Sequence, residues 1–330
     1  MTAFLILLVA LPVILAGAEL FTNAIEHVGA AFEVSEGVTG SLLAAVGTAL
    51  PETAVPLLAS LHQGAGERLA VGAVLGAPLM LSTLALGVMG VAAWQSRGLR
   101  GALTPERGGL RRDLDWFLVF FILALAGLYL PEGLPRRVLA TILVAGYAAY
   151  VVATVRASKA LVAAGHETNA ANGLHLARHV LKRIPGLRYF QLVLGLAFIL
   201  SGAQGFVVGV KELGHLLHVP VLALALVIVP IATELPEKVN SVLWIRRGQD
   251  TLAFGNITGA LVFQGSLLPA LGMTLTPWRP IPLLLAAMLI TIAGVVILRL
   301  RIMRATALRP YHMVIGGPLY AAFLGYLLAP

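Results

Sequence analysis

The chain of 330 residues contains no cysteine, and only 12% of its residues are charged. The absence of cysteine excludes disulfide bonds and thiolate metal sites. The scarcity of charge, with an apolar fraction of 59% and a mean hydropathy of +0.92, excludes a water-soluble globular domain, whose surface needs more polar residues. The sequence therefore predicts an integral membrane protein, in which apolar side chains face lipid.

Motifs for nucleotide-driven and hydrolytic chemistry are also missing. The sequence has no phosphate-cradling loop with a lysine, no serine-centred nucleophile motif and no zinc helix motif. We therefore expect no enzyme, and no cofactor other than a transported cation such as calcium or sodium. The 23 Lys and Arg outnumber the 15 Asp and Glu, but they fall between apolar runs and indicate topology, so no nucleic-acid partner is expected.

Apolar runs of spanning length occur about ten times, which predicts an all-α polytopic membrane protein. The longest polar interval, 156–188, separates two groups of five runs. We therefore predict a first five-helix half at 1–156, a basic cytoplasmic linker at 157–188, and a second five-helix half at 189–330. The predicted spans are roughly 3–26, 37–62, 69–95, 115–131, 137–156, 189–210, 219–245, 252–275, 281–299 and 311–328.

The basic residues predict the orientation of these spans. If the N-terminus is outside, the cytoplasmic loops hold 17 Lys and Arg and the opposite side holds 5. This bias predicts a multi-pass protein of the cell membrane with both termini extracytoplasmic. The oligomeric state is not encoded in any pattern that we recognise. The loops counted as cytoplasmic are 96–114, 156–188, 246–251 and 299–310.

The two halves are related in sequence. Residues 17–29 recur in part as 202–214, and residues 48–52 recur in part as 233–237 at the same spacing. The glycines at 72 and 76 recur at 255 and 259, with the spacing shortened by two. Because each half has an odd number of predicted spans, the second half enters the membrane from the opposite side. The sequence thus predicts an inverted repeat, which puts a binding site near the bilayer midplane between discontinuous helices.

The most informative repeated stretch reads "GTALPET" at 47–53 and "ATELPEK" at 232–238. Proline inside a helix removes a hydrogen bond and clashes with the preceding turn, so Pro51 and Pro236 predict breaks at mid-membrane. Backbone freed in this way must be buried in protein or line a wet cavity. Each break therefore marks a place where carbonyl oxygens become available to an ion.

A carboxylate and a hydroxyl accompany each predicted break. Oxygen atoms are the ligands that calcium, magnesium and sodium prefer, so we predict cation binding here. A charged group at the bilayer centre costs roughly 2.5–3.5 kcal/mol even on the insertion scale, which favours a functional role for both acids. The alternative is that both acids are protonated or paired and only hold helices together. The candidate ligands are Glu52 and Thr48 in the first half and Glu237 and Thr233 in the second.

With these motifs, and above all "GVTGSLLAAVGTALPE" at 37–52, the sequence resembles the cation/calcium exchanger superfamily of sodium/calcium and proton/calcium exchangers. The resemblance covers nearly the whole chain. It implies two inverted five-helix repeats, with Glu52 and Glu237 as the paired cation-binding carboxylates. It also implies that Thr48 and Thr233 supply oxygens beside them.

The chain departs from the family motifs at several positions that carry side-chain oxygens in sodium-coupled members. The third-helix motif has Gln264 in place of its final asparagine or aspartate, and we keep Gln264 as a candidate cation ligand. With several oxygens missing, we favour a proton-linked or poorly sodium-selective exchanger. The motif positions that lack a side-chain oxygen are Ala49, Ala77, Pro78, Leu81 and Ala260.

Two charged residues are additions. Glu234 and Lys238 stand four residues apart in the order that favours pairing along a helix, although Pro236 between them can spoil the geometry. One hypothesis is that Lys238 shields Glu234 and leaves Glu52 and Glu237 to the transported ion. The alternative is that Lys238 fills the space of a second cation. Neighbouring carboxylates can also accept a proton where a cation was, so Glu234 is a further candidate ligand.

The functional hypothesis is a secondary active antiporter that exchanges calcium, or another inorganic cation, for protons or sodium by alternating access. One alternative is an intramembrane hydrolase that uses the paired acids to activate water. Another is a degenerate exchanger that no longer transports and acts as a scaffold or sensor, since several ligand positions are missing.

Overall fold

The computed structural model confirms the all-α prediction. Helices make up nearly all of the residues that the structure describes, and within those residues no β-strand occurs, apart from an isolated bridge between Leu103 and Leu308. The described residues are 2–32, 35, 38–44, 52–53, 56–57, 60, 65–163, 173–176, 186–216, 221–304 and 307–328.

Twelve α-helices and two π-helical segments are described. The first π segment is Thr39–Ala44, and the second, Leu81–Ala85, continues α2 directly into α3. The helices are α1 (Thr2–Ala31), α2 (Ala65–Met80), α3 (Leu86–Arg97), α4 (Arg107–Gly127), α5 (Leu134–Ala163), α6 (Leu187–Leu216), α7 (Val221–Thr233), α8 (Leu235–Arg246), α9 (Asp250–Leu275), α10 (Pro282–Arg304), α11 (Pro310–Val314) and α12 (Gly316–Leu328).

Five helical stretches in the described part are long and apolar enough to cross a membrane. Two of them are inner helices, because 89% of the Glu67–Arg97 window and 78% of the Asp250–Leu275 window are buried by protein. The other three bury only 33–39% and leave apolar side chains on the outside, as lipid contact requires. The protein is thus polytopic, while the count of about ten spans stays a prediction. The three outer stretches are Leu5–Ala31, Leu134–Ala157 and Pro282–Arg304.

Glycines let the inner helices α2 and α9 approach α7 and the first π segment closely. A Cβ added at Gly76 of α2 would lie 2.5 Å from the Leu226 carbonyl oxygen of α7. A Cβ added at Gly259 of α9 would lie 2.5 Å from the Ser41 Cα in the first π segment. Small residues at such crossings permit backbone packing that larger ones prevent. Gly76 and Gly259 occupy matching positions of the two sequence halves. An inverted repeat, which stays a prediction, would explain why both crossings are packed in the same way.

Helices α1 and α6 pack along each other in the same reciprocal manner. A Cβ at Gly17 would lie 2.8 Å from the Ile199 nitrogen, and one at Gly202 would lie 3.0 Å from the Ile14 nitrogen. In one contact the glycine belongs to α1 and its neighbour to α6, and in the other the glycine belongs to α6 and its neighbour to α1. Any side chain at either glycine would push the two helices apart.

Polar contacts join α1 to α8, the helix that carries Glu237. Thr22 donates to Asn240 Oδ1 over 2.6 Å, and Trp244 Nε1 donates to Glu26 Oε1 over 2.7 Å. Both pairs are buried, so each satisfies a polar group that water does not reach. Arg247, just after α8, extends the network to Glu26, at 3.7 Å. The position of α8 therefore depends on α1.

The loops expected on one side of the membrane meet at one end of the molecule. The loop after α3 bridges to the loop before α11 through Leu103 and Leu308. Arg97 binds both oxygens of Asp250, which begins α9, over 2.6 and 2.8 Å. A bidentate Arg–carboxylate pair fixes orientation as well as distance. The side of the membrane on which this end lies remains a prediction.

Asp113 of α4 is a buried carboxylate that the sequence analysis did not single out. Its Oδ2 accepts from Ser41 over 2.7 Å and from Thr258 over 2.8 Å, and its Oδ1 accepts from Tyr150 over 3.0 Å. A buried carboxylate is tolerated where hydrogen bonds replace its hydration. Asp113 thereby joins the first π segment and α9 to α4 and α5.

Replacing Asp113 tests this assignment. We expect Asp113→Ala to lower the free energy of unfolding by about 3 kcal/mol or more, because hydrogen bonds to a charged group contribute roughly 1.5–3 kcal/mol each. The Tm of the detergent-solubilised protein measures the change. Glu132→Gln, which removes an exposed pair with Arg279, is the control and is expected to cost at most about 1 kcal/mol. Equal Tm values for the two variants would contradict the assignment.

Candidate functional site

The predicted break in the second half is present. Helix α7 ends at Thr233 and α8 begins at Leu235, with Glu234 between them at φ −93° and ψ 5°. Pro236 stands in the first turn of α8, where its missing N–H costs little and its fixed φ favours a helix start. The break therefore lies at the acid itself, which is buried. The corresponding stretch of the first half, with Pro51 and Thr48, lies outside the described residues.

The structure brings the three candidate acids together with Lys238. The Glu52 side chain interacts electrostatically with Glu237, Glu234 and Lys238. Glu52 is 3% exposed, and Glu234 and Glu237 are fully buried. Four ionisable groups from both halves of the chain thus share one desolvated region, as the sequence predicts for Glu52 and Glu237.

Lys238 pairs with Glu234 in spite of the proline between them. Its Nζ lies 3.5 Å from Glu234 Oε2 and donates to the Met80 sulfur over 2.9 Å. Met80 is the last residue of α2, where the helix widens into the second π segment. The ammonium is therefore held between α8 and α2, one turn from Glu234. No sequence pattern indicates the contact with Met80, because α2 and α8 are far apart in the chain.

Several oxygens in this region lack hydrogen-bond partners among the described residues. Both carboxylate oxygens of Glu52 and Oε1 of Glu234 are buried and unsatisfied. Gln264 of α9 is fully buried and acts on Glu234. Buried polar groups are normally paired, so a group of unpaired oxygens indicates a place for a ligand. Hard cations with oxygen ligands meet that description.

The hydroxyl of Thr233 is also buried beside the break. It donates to the Val229 carbonyl over 3.2 Å within α7, which leaves its lone pairs able to contact a cation. Thr233 is the last residue of α7, directly before Glu234. Its counterpart Thr48 cannot be compared, because it lies outside the described residues.

Asn256 is a candidate that the sequence analysis left out of its ligand set. Its Nδ2 donates to the Glu237 carbonyl over 3.1 Å and to the Ser241 hydroxyl over 3.0 Å. These two bonds orient the amide, and its Oδ1 is buried with no hydrogen-bond partner in the described part of the chain. The signal was present in the sequence, since Asn256 follows Gly255 in the third-helix motif of the second half. The structure thus places a side-chain oxygen of α9 beside Glu237 of α8.

The acids act on one another without forming a ready-made metal site. In the part of the chain that the structure describes, no three acidic or imidazole side chains are gathered closely enough to hold a metal ion. Lys238 stands among them, held by Glu234. A cation at this site must therefore draw carboxylates together or use amide, hydroxyl and carbonyl oxygens as well.

Comparisons with known proteins agree over the length of the chain. The family model for "Sodium/calcium exchanger protein" matches residues 2–156 and 187–329. The inner membrane protein YrbG of Escherichia coli is 27% identical over 84% of this chain and 81% of its own. A protein of Alkalimonas amylolytica named putative antiporter CaxA is 26% identical over 99% of this chain and 98% of its own.

Solved structures of the sodium-calcium exchanger NCX_Mj share the fold. One, soaked with Na⁺ and Ca²⁺, superposes with a TM-score of 0.75 over 100% of this chain and 99% of NCX_Mj, at 20% sequence identity. Another, soaked with Na⁺ and without Ca²⁺, has a TM-score of 0.73 over 99% of both chains. On the match of the family model to both halves, the chain belongs to the sodium/calcium exchanger protein family.

Proposed function

We propose that this membrane protein is a secondary active cation antiporter that exchanges calcium for protons by alternating access at Glu52 and Glu237. The observation that carries the proposal is the shared burial of Glu52, Glu234 and Glu237 at the break between α7 and α8. Family membership supports antiport, and the name putative antiporter borne by the Alkalimonas relative agrees with it.

The donor set favours a hard divalent cation. Calcium takes six to eight oxygen ligands in flexible geometry and accepts carboxylates, carbonyls and hydroxyls together. The buried oxygens at this site are of those three kinds, and no cysteine competes for a softer metal. We assign the ligands to the carboxylates of Glu52 and Glu237, with oxygens from Thr233, Asn256 and Gln264, and from Thr48 by its position in the repeat.

The lining favours protons over sodium as the counter-ion. Ala77 and Leu81, at the end of α2 and the start of the second π segment, are buried and carry no side-chain oxygen. Ala260 of α9 is likewise buried and apolar. Sodium binding needs oxygen ligands that these positions do not supply, whereas a carboxylate needs none to accept a proton. The proton is therefore our first choice, and sodium is the alternative counter-ion.

Removing one acid at a time tests the site. We expect Glu52→Gln and Glu237→Gln to abolish calcium uptake into proteoliposomes driven by an imposed pH gradient. Each variant should lower cation affinity by more than the roughly 10–100-fold that loss of an outer-shell partner costs, because the amide keeps the shape but removes the charge. The readout is uptake of radioactive calcium into sealed vesicles.

Glu132→Gln is the matched control, since Glu132 is exposed and pairs with Arg279 on the surface. It should transport like the wild type. Equal calcium uptake by the wild type and Glu237→Gln would contradict the assignment of Glu237 to the cation site. Hydrolysis that continues without any ion gradient would favour the hydrolase alternative.

Asn256 provides an independent test on α9. We expect Asn256→Ala to weaken calcium binding about 10–100-fold, since it removes an amide oxygen and also releases the Glu237 carbonyl from its donor. Calorimetry on the purified protein measures the affinity. Ser266→Ala, also buried on α9, is the control, because the Ser266 hydroxyl donates to carbonyls of its own helix over 2.6 and 3.3 Å. Equal affinities for both variants would exclude Asn256 as a ligand.

A further inference from the structure

A cavity of about 430 Å³ lies at the end of the molecule where α2 begins and α9 ends. Its wall combines the first turn of α2, the loop between α4 and α5, the first turn of α5, and the end of α9 with the loop that follows. Cavities that bind small molecules measure roughly 300–1,000 Å³, so this one has room for a small ligand or a head group. The charged residues of the wall are Glu67, Glu132, Arg136, Arg137 and Arg279.

This cavity is separate from the candidate cation site. Glu67 lies in the first turn of α2, whereas Met80, which contacts Lys238, is the last residue of that helix. The 13 residues between them span about 20 Å at the rise of an α-helix. The cavity therefore needs an explanation of its own.

Arg136 is the unusual member of the wall, because its side chain is only 7% exposed. Its Nε donates to the Leu130 carbonyl over 3.0 Å. Within the described residues one carboxylate lies within 4 Å of its guanidinium: Glu132 Oε1, which is 3.8 Å from Nη1 and also accepts from Arg279 over 3.0 Å. The Glu132 side chain is 60% exposed, and such solvated pairs stabilise a protein little. A nearly buried positive charge therefore faces this cavity with a distant and shared partner.

The wall has an excess of positive charge, with three arginines against two glutamates among the described lining residues. Arg137 is exposed and forms no ion pair within the part of the chain that the structure describes. Guanidinium groups present a planar fork of donors that matches the oxygens of a phosphate or carboxylate. The wall thus favours an anion with several oxygen acceptors.

Apolar side chains border the arginines on the outside of the molecule. Leu275 lines the cavity and is 42% exposed, while Leu134 and Val138, on either side of Arg136 and Arg137 in α5, are 74% and 49% exposed. Only 33% of the Leu134–Ala157 stretch is buried by protein, so this surface faces lipid. A ligand that satisfies both surfaces carries an anionic head and an apolar tail, and phospholipids have that chemistry.

We propose that this cavity binds the phosphate of an anionic phospholipid. Arg136 and Arg137 donate to the phosphate oxygens, and an acyl chain lies along Leu134 and Val138. One phosphodiester with a single negative charge neutralises the positive excess of the wall. A lipid held in this way joins the beginning of α2 to the beginning of α5 and the end of α9. The inference does not depend on which ions the protein transports.

Three ligands added to the detergent-solubilised wild-type protein test the inference. They are short-chain phosphatidylglycerol, phosphatidylcholine with the same acyl chains, and inorganic phosphate, and the rise of Tm with concentration gives each apparent affinity. We expect phosphatidylglycerol to bind about 10-fold or more tightly than phosphatidylcholine, whose choline brings a positive charge towards the arginines. Inorganic phosphate should also bind at least about 10-fold more weakly than phosphatidylglycerol, because it buries no apolar surface.

Three variants with the same change in net charge test the arginines. Arg136→Gln and Arg137→Gln should each weaken phosphatidylglycerol binding about 10-fold or more, since each removes hydrogen bonds between charged groups. Arg137 is exposed, so its variant keeps the test open even where Arg136→Gln does not fold. Arg100→Gln is the control and should bind like the wild type. Arg100 is exposed in the loop after α3, at the other end of the helical stretch Glu67–Arg97.

Each of four results would overturn the inference. Equal affinity of the wild type and Arg137→Gln for phosphatidylglycerol would remove the arginine site, and equal affinity for the two lipids would remove the requirement for an anion. Inorganic phosphate that acts at the same concentration as phosphatidylglycerol would make the cavity a site for a free anion instead of a lipid. A loss in Arg100→Gln as large as that in Arg137→Gln would indicate general charge attraction. Calcium uptake enters none of these measurements, so cation antiport stands or falls separately.

Discussion

Charge that has been taken out of water governs this protein. Glu52, Glu234 and Glu237 are buried in a molecule whose outer surface faces lipid. Any negative charge on them must therefore be balanced by a positive group of the protein or by a bound cation. Lys238 lies next to one of these acids, with its Nζ 3.5 Å from Glu234 Oε2. Both carboxylate oxygens of Glu52 lack a hydrogen-bond partner among the described residues, and this is where we propose that the transported cation binds.

The surrounding architecture keeps this unfavourable cluster in place. Glycines 76 and 259 bring α2 against α7 and α9 against the first π segment, at distances that any larger residue would prevent. Asp113 of α4 then accepts from three hydroxyl donors, which lie on the first π segment, α9 and α5. Close backbone packing and a fully hydrogen-bonded buried network both resist deformation. This rigidity keeps the acidic side chains in one region although they repel one another when ionised.

Membership of the sodium/calcium exchanger protein family explains the fold but leaves the ion chemistry to this chain's own residues. Ala77, Leu81 and Ala260 make part of the site apolar, and the pair of Glu234 and Lys238 adds one charge of each sign. Under the proposed function these features act in the same direction, since they offer a cation fewer neutral oxygen ligands and leave carboxylates that can accept protons.

The sequence by itself determined the membrane class, the all-helical structure and the break after Thr233, and it predicted which acids form the site, because composition, proline and charge act locally and leave local patterns. It left open whether Glu234 and Lys238 pair across Pro236. Only the tertiary structure decided that pairing, the contact of Lys238 with Met80, the orientation of Asn256 and the role of Asp113. Each of these joins segments distant in the chain, and no periodicity records which helix faces which once every helix is apolar on all sides.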